Sequence, residues 1–213
     1  MMWPMTEAGT IPVTARVAHG TKEQLQELKP VFADERRRAR EMRGEERWST
    51  EGLRGREAAG RRAEWLEHRA RLRDRGELVD TLDVLVALGV RAELASRGWD
   101  VDWPPLPAEA LLPGRWPGSR DGGWPEKVPL RLPAGLVTTV WSACWHTSAE
   151  PIAQLRDWRD RHPDALPTRA FRSRGEDQAL DEYQRLAAQV TTAGEIWRAG
   201  IKRGLMDVVP TVK

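Results

Sequence analysis

The sequence contains almost no cysteine, tyrosine or phenylalanine: one Cys, one Tyr and two Phe occur in 213 residues. A single thiol, Cys144, cannot form an internal disulfide, which favours a reducing compartment. No apolar run approaches the roughly 20 residues that a membrane-spanning helix requires. Residues 1–10 also lack the basic and apolar segments of a secretion signal. We therefore expect a cytoplasmic protein with no membrane partner.

Histidine, which with cysteine forms many catalytic and metal centres, is also scarce. The four histidines and the single cysteine show no metal-ligand spacing, and the chain has no phosphate-binding glycine loop and no nucleophile elbow. Cys144 and His146 lie two positions apart, so on a helix they point to different faces. Cys144 instead continues an apolar stripe with Leu136 and Val140 and is interpreted as a core residue. The sequence predicts a protein that is not an enzyme and uses no metal or cofactor.

Although the net charge is only +2, the charged residues form three blocks of different composition. Residues 35–76 contain fourteen arginines and nine acidic residues, whereas residues 77–126 contain four arginines and nine acidic residues. Residues 127–174 contain eight basic and four acidic residues. Basic blocks suggest a polyanionic partner such as nucleic acid. For the first block an ion-paired, solvated surface is an equal alternative, because acidic residues are interleaved throughout it.

The first half of the chain is predicted to be helical after one short strand. Residues 10–18 alternate as a strand does, and Thr21 with Gln24 has the spacing of a capping box that opens a helix. Pro30 interrupts or ends that helix. Residues 33–47 also favour a helix, and the glycines at 44, 52, 55 and 60 argue against one unbroken rod.

Two further helical segments are predicted before residue 99. Residues 57–75 carry a narrow apolar stripe at helical spacing, formed by Ala59, Ala63, Leu66 and Ala70. Residues 77–88 predict a buried helix that ends near Gly89 and is followed by a shorter helix to about residue 98. A strand through residues 84–90 is the alternative.

Residues 99–126 break the periodic pattern. Between 99 and 125 there are six prolines, four glycines and four of the eleven tryptophans, a composition typical of a linker or an irregular cover. The tryptophans suggest that the segment packs against the rest of the protein. We expect a helical, arginine-rich region for oligomerisation or partner binding at 1–98, a linker at 99–126 and a functional region at 127–213.

The last region predicts a strand, a helix, a tight turn and a second helix. Lys127 to Pro133 alternates, residues 134–146 carry the Leu136 stripe, and Thr147 or Ser148 can cap the helix that follows. A second copy follows: residues 168–173 can form a strand and residues 176–190 are strongly helical. At an offset of 44 residues, TSAEPI at 147–152 aligns with TTAGEI at 191–196.

These stretches resemble the ribbon-helix-helix DNA-binding proteins of the Arc and MetJ type. The motifs are LRLP at 130–133, TSAEPI at 147–152 and TTAGEIWRAGIKRGL at 191–205, and the resemblance covers residues 127–207. It implies a mostly α protein with a tandem strand-helix-helix region at the C-terminal side. It also implies that residues 127–132 and 168–173 pair with each other or with a second chain as an antiparallel ribbon. A plain helical bundle is the alternative.

The same resemblance implies which residues contact DNA. Alternate strand side chains of such a ribbon face base edges in the major groove, so Lys127 and Arg131, and Arg169 or Arg172, are candidates. The backbone N–H groups at the starts of the second helices could hold a phosphate; these lie at Thr147, Ser148, Thr191 and Thr192.

We therefore expect a sequence-specific protein that binds double-stranded DNA, such as a transcriptional regulator or a maintenance protein of a mobile element, with a homo-oligomer as a possible assembly. A helical interaction or scaffold protein without nucleic-acid binding is the alternative function. Steep salt dependence of DNA binding would distinguish the two.

Overall fold

The computed structural model describes residues 9–111, 123–163 and 177–208. Within these ranges the chain is mostly helical and contains one two-stranded antiparallel sheet, which confirms the expected mostly α class. The strands are β1 (Thr10–Val17) and β2 (Glu126–Pro133). The helices are α1 (Thr21–Glu27), α2 (Lys29–Arg43), α3 (Gly55–Asp74), α4 (Leu82–Ser96), α5 (Ala134–Thr147), α6 (Ala149–Arg161), α7 (Asp177–Gln189) and α8 (Ala193–Arg203).

Among the described residues, the strand that pairs with β2 is β1, a partner that was not predicted from the sequence. The two strands are antiparallel, with Thr10 opposite Pro133 and Val17 opposite Glu126. Local alternation identifies both strands but says nothing about which strands become neighbours, and this explains the omission. Residues 168–173 lie outside the described residues, so the strand of the second copy is left untested.

The main core lies between the inner face of this sheet and helices α4, α5 and α8. It joins β1 and α4 from the first hundred residues to elements that follow residue 125. Most of its fully buried members have branched aliphatic side chains, which favour close packing; they include Val86, Val90, Leu132, Val137, Val140, Ile196 and Ile201. A second cluster, centred on Trp158, packs α6 against α7. Trp158 donates through Nε1 to the carbonyl of Ala179 at 2.9 Å.

Helices α4 and α8 approach each other at glycines. A Cβ atom built on Gly89 of α4 would lie 2.0 Å from the carbonyl oxygen of Gly200 and 2.8 Å from the nitrogen of Gly204. A Cβ atom on Gly200 would lie 2.3 Å from Cγ2 of Val90. The prediction that a helix ends near Gly89 is therefore wrong: α4 runs through Gly89 to Ser96. This glycine allows close approach of another backbone and does not end the helix.

Helix α3 buries a different face from the predicted alanine stripe. Ala58 and Trp65 are buried, whereas Leu66 is 61% exposed and Ala59 and Ala63 are exposed too. Trp65 packs edge-on against Trp48, with ring centroids 5.6 Å apart. The large indole ring offers far more apolar area than the alanines do, so it determines which face turns inward.

A buried carboxylate fixes the segment that joins α3 to α4. Asp80 is 0% exposed and accepts hydrogen bonds from Nε and Nη2 of Arg73, both at 2.9 Å, and from Arg69. Arg36 of α2 donates to the backbone carbonyl of Asp80 at 3.2 Å. Burial by itself raises the pKa of Asp80, but the hydrogen bonds from Arg73 and Arg69 outweigh it, so the pKa is lowered from its usual value.

Candidate nucleic-acid interface

The two strands form a ribbon with one buried and one exposed face. Val128, Leu130 and Leu132 of β2 point inward and are buried, while Lys127 and Arg131 are exposed. This is the alternation predicted from the sequence. Strand side chains alternate between the two faces of a sheet, so β1 contributes its own alternate set to the exposed face.

We call this exposed surface the ribbon face. The register places Pro12 opposite Arg131, Thr14 opposite Pro129, and Arg16 opposite Lys127. Its six residues are Pro12, Thr14, Arg16, Lys127, Pro129 and Arg131. Arg16 was not identified as a site residue from the sequence, because its proximity to Lys127 arises from the long-range pairing of β1 with β2.

The prolines lie where a strand tolerates them. The backbone N–H of Arg131 donates to a carboxylate oxygen of Asp83 at 2.9 Å, so this N–H points away from β1. Hydrogen-bonding direction alternates along an antiparallel strand, and Pro129, two residues earlier, has its nitrogen on the same outer edge. No ladder hydrogen bond is lost there. Asp83 also covers part of the outer edge of β2.

The ribbon face carries three positive charges. No carboxylate of the described residues lies within 4 Å of the charged groups of Arg16, Lys127 or Arg131, whereas many other arginines in this part of the chain are ion-paired. Lys127 and Arg131 are exposed and Arg16 is half-buried. Uncompensated cations on an exposed face attract polyanions.

Glu126, the acidic residue at the end of the ribbon, is hydrogen-bonded to the start of α1. Glu126 accepts hydrogen bonds from the backbone N–H groups of Gly20 at 2.9 Å and Lys22 at 3.0 Å, and it contacts Nδ1 of His19 at 2.9 Å. The backbone hydrogen bonds from Lys22 and Gly20 lower the pKa of Glu126. This arrangement replaces the predicted capping box, which is wrong. The N-cap residue is Gly20, at φ 85°, and no side chain caps the helix from that position.

Arg198 of α8 connects the ribbon to the core helices. It donates to the backbone carbonyl of Arg16 at 3.3 Å, and its guanidinium carbon lies 4.5 Å from the ring centre of Trp124. Guanidinium groups stack favourably on indole rings. Because α8 is packed on α4 through Gly200, this contact positions the end of β1 relative to the core.

The remaining predicted site residues lie elsewhere. Thr147 ends α5, and Ser148 is fully buried and accepts a hydrogen bond from the backbone N–H of Thr191 at 3.0 Å. Thr192 is buried and caps α8 in a capping box with Glu195. The two predicted turns thus contact each other inside the protein, and the Thr191 N–H is already bonded there. Arg169 and Arg172 lie outside the described residues.

Cys144 is a core residue, as interpreted from the sequence. It is 0% exposed, and burial raises the pKa of its thiol to about 12, so it stays protonated and unreactive near neutral pH. His146 stacks on Trp103 with an interplanar angle of 7°. Among the described residues, no three His, Cys, Asp or Glu side chains are grouped so as to hold a metal ion. Nor does any helix in those ranges have the length and apolar character needed to cross a membrane.

No protein-family model matches the chain, and comparison with curated proteins and with solved structures found nothing similar. The resemblance of residues 127–207 to ribbon-helix-helix proteins therefore stays an expectation.

Proposed function

We propose that this protein binds double-stranded DNA in a sequence-dependent way through the ribbon face, as a transcriptional regulator or a maintenance protein of a mobile element does. One observation carries the proposal. Arg16, Lys127 and Arg131 share the exposed face of a two-stranded antiparallel ribbon, with no carboxylate of the described residues within 4 Å. A two-stranded β-ribbon fits the major groove of B-DNA, where base edges are distinguishable.

The side chains of the ribbon face suit distinct contacts in that groove. Arg131 and Arg16 can each donate two hydrogen bonds to O6 and N7 of guanine, the commonest specific contact. The hydroxyl of Thr14 can donate or accept. Pro12 and Pro129 present apolar rings, which suit contact with a thymine methyl group. Lys127, at the end near Glu126, is a compact charge suited to a phosphate.

Replacement of Arg131 by alanine should reduce affinity for a preferred duplex roughly 5- to 150-fold, since a bidentate base contact is worth about 1–3 kcal/mol. Binding to a random duplex should change much less. The preferred duplex is first selected from a random library, and affinities are then measured by fluorescence anisotropy. Arg159→Ala is the matched control, because Arg159 is an exposed arginine of α6 and not a residue of the ribbon face. Equal losses for both variants would contradict base recognition by Arg131.

Replacement of Lys127 by alanine should weaken binding to preferred and random duplexes alike. If Lys127 neutralises a phosphate, the slope of log affinity against log salt concentration should become shallower by about 1. The measurement is a salt titration of both proteins on both duplexes. An unchanged slope would show that Lys127 does not neutralise a phosphate.

The same titration tests the alternative function of a helical scaffold. DNA binding through several phosphate contacts weakens steeply as salt rises. A protein that selects no duplex, and whose residual binding is insensitive to salt, would support the scaffold function and contradict the proposal.

A further inference from the structure

We infer that helix α3 is a docking surface for a second copy of this chain. The α3 stripe consists of Ala59, Ala63, Leu66 and Ala70, and it lies away from the face that buries Ala58 and Trp65. Leu66 is 61% exposed and is one of three large exposed apolar side chains among the described residues. Ala59 and Ala63 are exposed and Ala70 is half-buried. The inference does not depend on DNA binding.

The spacing of the α3 stripe is that of a coiled-coil seam. Its positions follow one another by four, three and four residues, which is the alternation of a and d positions in a heptad repeat. Ala59 and Leu66 take d positions, and Ala63 and Ala70 take a positions. The small alanine side chains let a second helix approach closely, and the seam covers two heptads of a 20-residue helix.

The charges beside the stripe are complementary to those of the same helix in a second copy. Arg62 precedes Ala63 and takes a g position, while Glu67 follows Leu66 and takes an e position. In a parallel pair of helices, a g residue faces the e residue five positions later on the other helix. Arg62 of each copy therefore faces Glu67 of the other, and the pair forms twice.

The same charges disfavour the other orientation. In an antiparallel pair, g faces g and e faces e. When the two stripes overlap fully, this places Arg62 against Arg69. Arg62 is exposed, and none of the described residues forms an ion pair with it. Glu67 bonds to Arg71 at 2.6 Å, but its side chain is still 65% exposed. The stripe therefore specifies a parallel copy of α3.

Sedimentation velocity of the full chain without DNA, over a wide concentration range, tests the inference. We expect a weak, reversible dimer, because three of the four seam residues are alanines. Leu66→Lys should abolish the dimer. Met206→Lys is the matched control, because Met206 is 62% exposed and lies outside α3; it should dimerise like the wild type. Circular dichroism checks that both variants are folded.

Charge reversal tests the parallel orientation. Arg62→Glu places like charges together twice and should weaken the dimer about tenfold, allowing somewhat under 1 kcal/mol for each exposed pair. The double variant Arg62→Glu with Glu67→Arg restores opposite charges and should regain most of the affinity.

Three outcomes would overturn the inference. These are a wild type that sediments as a monomer at every concentration, a Leu66→Lys variant that behaves like Met206→Lys, and a double charge reversal that dimerises no better than Arg62→Glu alone. Because the measurement contains no DNA, its failure leaves the proposed function untouched, and a failure of DNA binding leaves the dimer untouched.

Discussion

Gly89→Ala should destabilise the protein by about 3 kcal/mol or more, the upper end of the usual cost of overpacking. The added Cβ atom would lie 2.0 Å from the carbonyl oxygen of Gly200. The obstructing atoms belong to the backbone of α8, so no side-chain rotation relieves the clash, and α4 and α8 must separate. Urea unfolding of both proteins measures the difference in the free energy of unfolding.

Gly60→Ala supplies the control for this substitution. A Cβ atom on Gly60, within α3, meets nothing within 4 Å. Alanine is favoured over glycine in a helix by roughly 1 kcal/mol, so Gly60→Ala should be neutral or stabilising. If Gly89→Ala proved as stable as Gly60→Ala, the close packing of α4 on α8 would be wrong.

Asp80→Asn should cost about 3 kcal/mol, because it removes the negative charge that compensates two partly buried arginines. Arg69 and Arg73 both bond to this carboxylate, which is 0% exposed. The carboxyl pKa is lower in the folded protein than in the unfolded chain. Its stabilisation is therefore complete above the unfolded value of about 3.8 and is lost as the pH falls through the folded value.

Two measurements check the role of Asp80. Unfolding experiments near neutral pH should show the full loss, and in acid the gap between wild type and Asp80→Asn should narrow as Asp80 becomes protonated. Asp74→Asn is the matched control, since Asp74 pairs with Arg91 at 3.0 Å while about a third of each side chain is exposed. It should cost less than about 1 kcal/mol. Equal losses in the free energy of unfolding would show that buried Asp80 contributes no more to stability than the partly exposed Asp74 does.

Local sequence signals predicted most individual elements. The alternation of residues 10–18 and of 127–133 gave the two strands. Ser148 does lie at the start of α6, but its side chain accepts a hydrogen bond from Thr191 and does not cap the helix as predicted. The errors occurred where distant residues decide the outcome. Gly89 resembles a helix terminator until the backbone of Gly200 is placed against it, and the alanine stripe of α3 resembles a core face until Trp65 is seen to pack on Trp48.

Only part of the candidate site could be predicted, because the rest depends on contacts between residues that are distant in the sequence. Lys127 and Arg131 were identified from the alternation of one strand. Arg16 joins them only because β1 is the neighbour of β2, and no local pattern encodes that pairing. Ser148 and Thr192 were predicted as phosphate contacts from the resemblance and from the backbone N–H groups expected at helix starts. Their burial follows from the packing of the two turns on each other.

The pairing of β1 with β2 also has a consequence for how this protein folds. Val17 pairs with Glu126, so more than 100 residues of chain must be made and brought back before the first strand finds its neighbour. Closing so long a loop is slow, and structures dominated by such distant pairings fold later than local helices do. During synthesis α1 to α4 can form before β2 has been made. Until then β1 has no strand partner, and its backbone N–H and C=O groups can pair with other chains. The basic surface formed by Arg16 and Lys127 comes into existence only in the completed fold, so a partly folded chain does not carry it.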